Sequence, residues 1–359
     1  MSFTEKKSAV RRRLPAEWEP QGAVLLAWPH AATDWAPVLD EVEPVFAALA
    51  AAVSRRALAL IVAPDPDAVR PRLAAAGADL DRVRIVQLET NDTWARDFGP
   101  LTVLNPRGRP LLLDFGFNGW GLKFAADLDN QVTRRLHAAG GFGRTPLRSP
   151  HLVLEGGSVE SDGRGTLLTT AACLLNANRN PGLTRTQIER KLLALFGANR
   201  LLWLEQGHLE GDDTDAHIDT LARLAPEDTI VYVACADSAD SHYAALQAME
   251  SELRAFRTAA GRPYRLLPLP WPKAKFDAAG NRLPATYANF LVLNGAVLAP
   301  TYRDVADAAA LAVIGNAFPG HEILALDCLP LILQHGSLHC VTMQLPAAAI
   351  SQTRRAKSR

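Results

Sequence analysis

Along the chain, short apolar runs alternate with stretches whose apolar positions recur at helical spacing, the two periods that separate strands from helices. Ala23–Trp28 reads as a strand, Val38–Val53 as a helix, Ala57–Val62 as a strand and Pro66–Ala76 as a helix. The rhythm continues with strands at Val83–Leu88 and Pro110–Asp114, a helix at Asp129–Ala139, and strands at Leu152–Val159 and Gly165–Thr170. After these come a helix at Thr184–Phe196, strands at Leu201–Leu204 and Thr229–Ala234, and a helix at Ser241–Ala259. The β-rich segment Ala288–Val297 and a helix at Ala306–Ala317 complete the series.

The pattern is α/β throughout. Regular alternation alone predicts a parallel doubly wound sheet, but Gly156–Gly165 and Asn294-Gly295 carry turn residues between β-rich runs, which predicts antiparallel hairpins as well. No Gly- or Ser-rich linker divides the chain, so one domain is expected over 21–350. A degenerate repeat of one helix plus a strand pair, closed into a ring, accommodates both features. Residues 1–20 read as a flexible, basic lead-in and 351–359 as a basic tail, both dispensable for chemistry.

Charge narrows the partners. Lys plus Arg and Asp plus Glu are both 38 in 359 residues, a balance that gives no bulk grip on nucleic acid or anionic lipid. With 48% hydrophobic residues the chain is an ordinary globular protein. No apolar stretch approaches the roughly 18 to 20 residues of a membrane-spanning helix, and Met1–Arg13 lacks the apolar region of a secretory signal, so the cytoplasm is the expected compartment. Four cysteines without a CxxC pair predict reduced thiols, with neither a disulfide framework nor a zinc spacing. The phosphate-binding, GxSxG and HExxH motifs are missing, which argues against nucleotide cofactors and the commonest serine and zinc hydrolases.

Four segments carry chemistry. Gly211-Asp-Asp-Thr-Asp-Ala-His-Ile-Asp219 packs four carboxylates and an imidazole into nine positions. A solvated acidic loop is the plain alternative; in extended backbone His217 and Asp219 share a face, making His217 a candidate acid/base with a carboxylate beside it. In Asn91-Asp-Thr-Trp-Ala-Arg-Asp-Phe-Gly-Pro100, Trp94 and Asp97 lie about one helical turn apart, and an aromatic wall beside a carboxylate suits a flat cation. The plain alternative there is a capped turn with an Arg96 ion pair. Glu155 ends the apolar run before Gly156-Gly157 and either caps a turn or meets a cation or imidazole, because a buried carboxylate is costly alone. Last, Gln334-His-Gly-Ser-Leu-His-Cys340 leads into a strand beginning near Cys340, where adjacent His339 and Cys340 would face opposite ways. That leaves His217 as the better base for the thiol. One thiol, a His-x-Asp pair and two more carboxylates suggest covalent attack on a planar cationic carbon, such as a guanidinium.

These four motifs, with Trp28-Pro29-His30, Phe117–Gly121, Cys173–Pro181 and Tyr287–Phe290, resemble agmatine deiminases and the related bacterial peptidylarginine deiminases of the guanidino-modifying superfamily. The resemblance spans roughly 91–346. It implies the pentein fold, a pseudo-fivefold α/β propeller of repeated helix and strand-pair units around a central active site, with no cofactor and no metal. It also implies Cys340 as nucleophile, His217 as acid and base, Asp97 and Asp219 as the guanidinium clamp, and Glu155 as a carboxylate that orients His217 and contacts substrate. Trp94 resembles a pocket wall; Trp120 and Asn289 fall in matching substrate-binding strings, and Asp213 is assigned to a far amine. Relatives acting on C-terminal peptidyl arginine place an arginine pair just after the position of Asn118; here Gly119-Trp120-Gly121 follows, which favours agmatine. The family suggests a homodimer and a small cationic guanidine as partner, with putrescine biosynthesis as context. The chain departs from the family at Ala216, where glycine is common, and at His335–His339 in place of a glycine run. Peptidylarginine deimination is the alternative within the class. Outside it stand a metal-dependent amidohydrolase built on Asp212, Asp213, His217 and Asp219, and a catalytically dead binding module.

Overall fold

The computed structural model describes residues 12–350. One unit recurs five times: an antiparallel strand pair, then a helix, then a strand returning parallel to the second of the pair. The units are seen in the sheets Leu101–Leu104/Pro110–Leu113/Leu147–Arg148, Glu160–Ser161/Thr166–Thr170/Arg200–Leu204, Ala222–Ala225/Thr229–Val233/Arg265–Leu269 and Leu291–Leu293/Ala296–Thr301/Glu322–Asp327. Their crossover helices are Asp129–Ala138, Arg185–Phe196, Tyr243–Ala255 and Asp307–Ala317. In the remaining sheet Met343–Pro346 pairs antiparallel with Gln21–Ala27, so the last strand of the chain completes the first unit. Leu58–Ala63 and then Val83–Gln87 extend that sheet in parallel after the helices Leu39–Ser54 and Pro66–Ala75.

Local chemistry explains the joints. Asn105 accepts from the N–H groups of Arg107 and Arg109 and, with Gly108 at φ +71, turns the first strand of one unit into its second. Asn294-Gly295 links Leu293 to Ala296 as the hairpin predicted. Thr184 and Gln187 form a reciprocal cap at the start of Arg185–Phe196, and Gly197 at φ +60 ends it where an added Cβ would collide with the Arg12 carbonyl. The second strands, such as Thr166–Thr170 and Thr229–Val233, are buried along their whole length, because helices cover one face and the neighbouring units the other.

Three expectations change. Leu152–Val159 is no strand: Val153 makes an isolated bridge with Gly116, and Gly156–Ser158 is a short helical turn. The strand expected to begin near Cys340 starts at Met343. Residues 13–20 are no loose lead-in, since Arg13 pairs with Leu104 and Leu14 N–H donates to the Phe196 carbonyl. Residues 1–11 and the tail 351–359 lie outside the described residues.

The repeat has a functional register. A turn immediately precedes the antiparallel strand that opens each unit, and Asp97, Glu155, Asp219, Asn289 and Cys340 all sit at these turns, ahead of Leu101, Glu160, Ala222, Leu291 and Met343. Five sequence-distant residues thereby occupy one structural position.

Candidate active site

Asp97 lies in the single helical turn Ala95–Phe98 and is buried. Its Oδ1 accepts from Gly157 N–H at 3.0 Å and its Oδ2 from Trp120 Nε1–H at 3.0 Å. Gly157 is the junction of the site: a Cβ there would stand 2.6 Å from His217 Nδ1 and 3.0 Å from both Asp97 Oδ1 and Asp219 Oδ2. Only glycine permits the three side chains to converge.

His217 is the N-cap residue of the turn Ile218–Leu221, so His217 and Asp219 are not on an extended strand as expected. They meet because the turn folds them to the same centre. The loop before them is held tightly: Asp212 accepts from Thr214 and from Ala216 N–H at 2.6 Å, while Thr170 Oγ1 donates to the Ala216 carbonyl. Asp215 and Ala216 both take positive φ, 66° and 64°, a conformation that costs a non-glycine residue free energy unless its surroundings impose it. The His217 ring is fully buried, its Nδ1 lies 3.6 Å from Asp97 Oδ1, and neither ring nitrogen has a hydrogen-bond partner.

Asp219 Oδ2 accepts from His339 Nδ1 at 2.7 Å and lies 3.9 Å from Cys340 Sγ, whereas its buried Oδ1 is unpartnered. Asn289 does not line the pocket; its Oδ1 accepts from the backbone N–H of His339 and Cys340, fixing the turn that carries the thiol. In this structure its contacts are those of a backbone anchor.

Glu155 is buried as expected, but its carboxylate is taken by Arg179, whose Nε lies 2.9 and 3.0 Å from the two oxygens. Arg179 also reaches Asp215 Oδ2 at 2.6 Å and the Thr214 carbonyl at 2.8 Å, so it ties Glu155 to the loop bearing His217. Glu155 was expected to orient His217 and contact substrate; it makes no hydrogen bond to that ring and reaches its loop through Arg179. A guanidinium offers a buried carboxylate more donors than an imidazole does.

Of these groups Asp97 and Cys340 line a pocket, while the buried His217, Asp219 and Glu155 are not part of its lining. Trp94, Trp120 and Phe124 form its aromatic wall, and Asp34, Asp92, Asp97, Asp212 and Asp213 contribute five carboxyl-bearing residues; no Lys or Arg among the described residues lines it. Gly336 lets Trp94 lie against the nucleophile's loop, since a Cβ there would stand 2.2 Å from the indole. His335, one of the departures, lines the pocket at φ +67 and donates from Nδ1 to the Gly211 carbonyl.

Burial sets the resting charges. It pushes the Cys340 thiol well above its ordinary range, with the nearby Asp219 and Asp97 adding to the effect. It pushes His217 down to about 3, so in the empty site the imidazole is neutral at pH 7 and a weak base. Asp97 is raised well above 3.8 by burial and by the Asp219 charge. Burial raises Asp219 too, but its hydrogen bond and attraction to His339 outweigh that, and it stays below its ordinary value. A planar cation entering here would supply the charge that the thiolate and both carboxylates require.

Among the described residues the acid, imidazole and thiol groups close enough to share one ion are Glu155–Cys173–His217 and Glu17–Glu160–His339. The set Asp212, Asp213, His217 and Asp219 is not brought together, because Asp212 caps its own loop. Sequence reasoning passed over Arg179, Gly157 and the pocket carboxylates Asp34 and Asp92. Arg179 stood inside the Cys173–Pro181 string, and the Gly156-Gly157 pair next to an apolar run was a sign of close approach.

The family model for Porphyromonas-type peptidyl-arginine deiminase matches residues 13–346. An agmatine deiminase of Pseudomonas aeruginosa (strain LESB58) is 34% identical, the alignment covering 93% of this chain and 95% of the relative. Among solved structures, the C. jejuni agmatine deiminase in a Cys-to-Ser form with substrate bound matches with TM-score 0.86 and 38% identity, over 93% of this chain and 96% of that one. A Porphyromonas gingivalis structure solved as a candidate arginine deiminase matches with TM-score 0.88 and 52% identity, over 93% and 98%. The architecture these chains share with this one is the pentein fold.

Proposed function

The chain belongs to the Porphyromonas-type peptidyl-arginine deiminase family, and from that premise we propose that it hydrolyses agmatine to N-carbamoylputrescine and ammonia. The observation that carries the choice of substrate is the charge of the pocket, with five aspartates and no Lys or Arg on its described wall. A peptide or free arginine brings a carboxylate that would need a cation there. Agmatine brings a second positive end instead, suited to Asp213 and its neighbours.

In this reading the guanidinium lies between Asp97 and Asp219 with Trp94 and Trp120 beside it. His217 takes the proton of Cys340, and the thiolate adds to the guanidinium carbon to give a neutral tetrahedral adduct. His217 returns that proton to one amino group, the C–N bond breaks, ammonia leaves, and an S-alkylthiouronium remains on Cys340. Water then adds with loss of a proton to His217, the C–S bond breaks, and the ureido product departs as the thiol is reprotonated. Glu155, neutralised by Arg179, holds the His217 loop in register. No cofactor or metal takes part in these steps. Five units on one plan, with the last strand paired to the first, support a single catalytic domain that takes in 13–20 as well as 21–350 and is closed as a pseudo-fivefold propeller.

The test is release of ammonia and ureido product from agmatine, free arginine and a peptide with C-terminal arginine, measured in chelator with wild type and Cys340→Ala. Turnover of agmatine that vanishes in the variant is expected. Turnover of the peptide alone would move the protein to the peptidyl branch, and activity that survives Cys340→Ala would remove the thiol mechanism.

A further inference from the structure

The segment 13–20 delivers one side chain beneath the active site. Glu17 Oε1 lies 2.8 Å from His339 Nε2, and its Oε2 accepts from Arg223 Nη2 at 2.7 Å. On the other edge of the same ring, Nδ1 lies 2.7 Å from Asp219 Oδ2. The ring of His339 thus bridges the two acids, one at each nitrogen. Arg223 Nη2 also lies 3.0 Å from His339 Nε2, so both side chains converge on Glu17. Around the ring Glu17 pairs with Arg96 and Arg223, and Glu160 with Arg223, so the link from Glu17 to Asp219 lies inside a buried ion-pair network.

We propose that Glu17 is a positioning residue of the active site, which acts through His339 to fix the Asp219 carboxylate with Oδ2 engaged and Oδ1 left open for the guanidinium. The unpartnered, buried Oδ1 is the second observation behind this assignment, since it is the acceptor that a cationic substrate would satisfy. Cys340 Sγ, 3.9 Å from Oδ2, then lies on the side of Asp219 that His339 holds. The inference rests on reading Asp219 as a guanidinium ligand.

The experiment compares two alkylators of Cys340, each followed by mass spectrometry of its peptide. A 2-haloacetamidine is a planar cation that needs the carboxylate clamp, while iodoacetamide is of similar size but neutral and reads the thiol alone. In Glu17→Gln the ratio of amidine to iodoacetamide rates is expected to fall tenfold or more from wild type, roughly the worth of a charge-assisted hydrogen bond. The iodoacetamide rate should stay within about twofold, and KM for agmatine should rise more than kcat falls. A ratio equal to that of wild type, whatever the melting temperature does, overturns the proposal. Should Glu17→Gln not fold, His339→Gln interrupts the same link at its other end with the same expected ratio. Failure of both to fold would assign the cluster a structural role and overturn the positioning one. A wild-type protein with neither agmatine turnover nor amidine preference would instead remove the guanidine reading itself.

Discussion

The two aspartates proposed as the clamp are the same residue type and equally buried, yet the fold shifts their acidities in opposite directions. Asp97 is held by neutral donors, the Trp120 indole and the Gly157 amide, which do not offset the cost of burying its charge beside Asp219. Asp219 is held by the hydrogen bond from His339 and, behind it, Arg223 and Glu17, which keep its carboxyl below its ordinary value. The fold favours the ionised form of Asp219 and the protonated form of Asp97, so a cation entering the site would act mainly on Asp97. This division spares the empty site two adjacent buried negative charges, the arrangement that like-charge repulsion disfavours most.

The largest effect expected from that difference is on stability as well as rate. Asp219→Asn removes the partner of a buried cation cluster, a change that costs about 3–5 kcal/mol, and should lower kcat/KM for agmatine by at least about a thousandfold. Asp97→Asn should cost activity on a similar scale but much less melting temperature, since no cation in the protein depends on it. Calorimetry of the two variants side by side checks this, and equal destabilisation would erase the distinction drawn above.

Next in size is a coupling to pH. The folded value of Asp97 lies above its ordinary 3.8, so its protonated form is favoured by folding and the associated stability is lost as pH rises through that folded value. Asp219 has the opposite sign: its contribution is present above 3.8 and is lost as pH falls through its lowered value. In the proposed complex agmatine binds the ionised form of Asp97. Below the folded value of Asp97, affinity should therefore fall by about tenfold per pH unit, with one proton released on binding. Titration calorimetry on Cys340→Ala in buffers of different ionisation enthalpy reads that proton directly. Binding without proton release would show that Asp97 is already charged in the empty site.

Much of the site was legible because polar residues in apolar or glycine-rich surroundings have few roles. Asp97, His217, Asp219 and Cys340 stood out in this way and do converge. Glu155 shows the limit of that reasoning. A buried carboxylate needs a partner, as expected, but sequence spacing cannot say whether an imidazole or the Arg179 guanidinium arrives across the fold. The strand Ala222–Ala225 escaped notice because Arg223 interrupts its apolar pattern, and that arginine is buried only because Glu160 and Glu17 meet it. Glu17 itself was hidden by its neighbours: a basic, proline-containing segment reads as a tail until tertiary contacts pin it. The five-unit plan was visible only as rhythm, since opening strands such as Leu101–Leu104 are too short to carry a period of their own.

The smallest predicted effect isolates the neutral half of the clamp. Trp120→Phe keeps an aromatic ring in the pocket wall and removes only the N–H that meets Asp97 Oδ2 at 3.0 Å. Trp120 has φ of 54°, so phenylalanine inherits the same left-handed backbone and adds no new strain. Losing one donor to a charged acceptor is worth about 1.5–3 kcal/mol, hence a fall of roughly ten- to a hundredfold in kcat/KM. Because that hydrogen bond favours the ionised acid, its loss should also move the pH at which agmatine affinity fades upward, a shift that Asp219 would not produce. Affinity measured against pH for Trp120→Phe and wild type tests this. A uniform loss at every pH would mean that the indole acts on substrate as a wall alone, and that Asp97 draws its poise from burial without help from its donor.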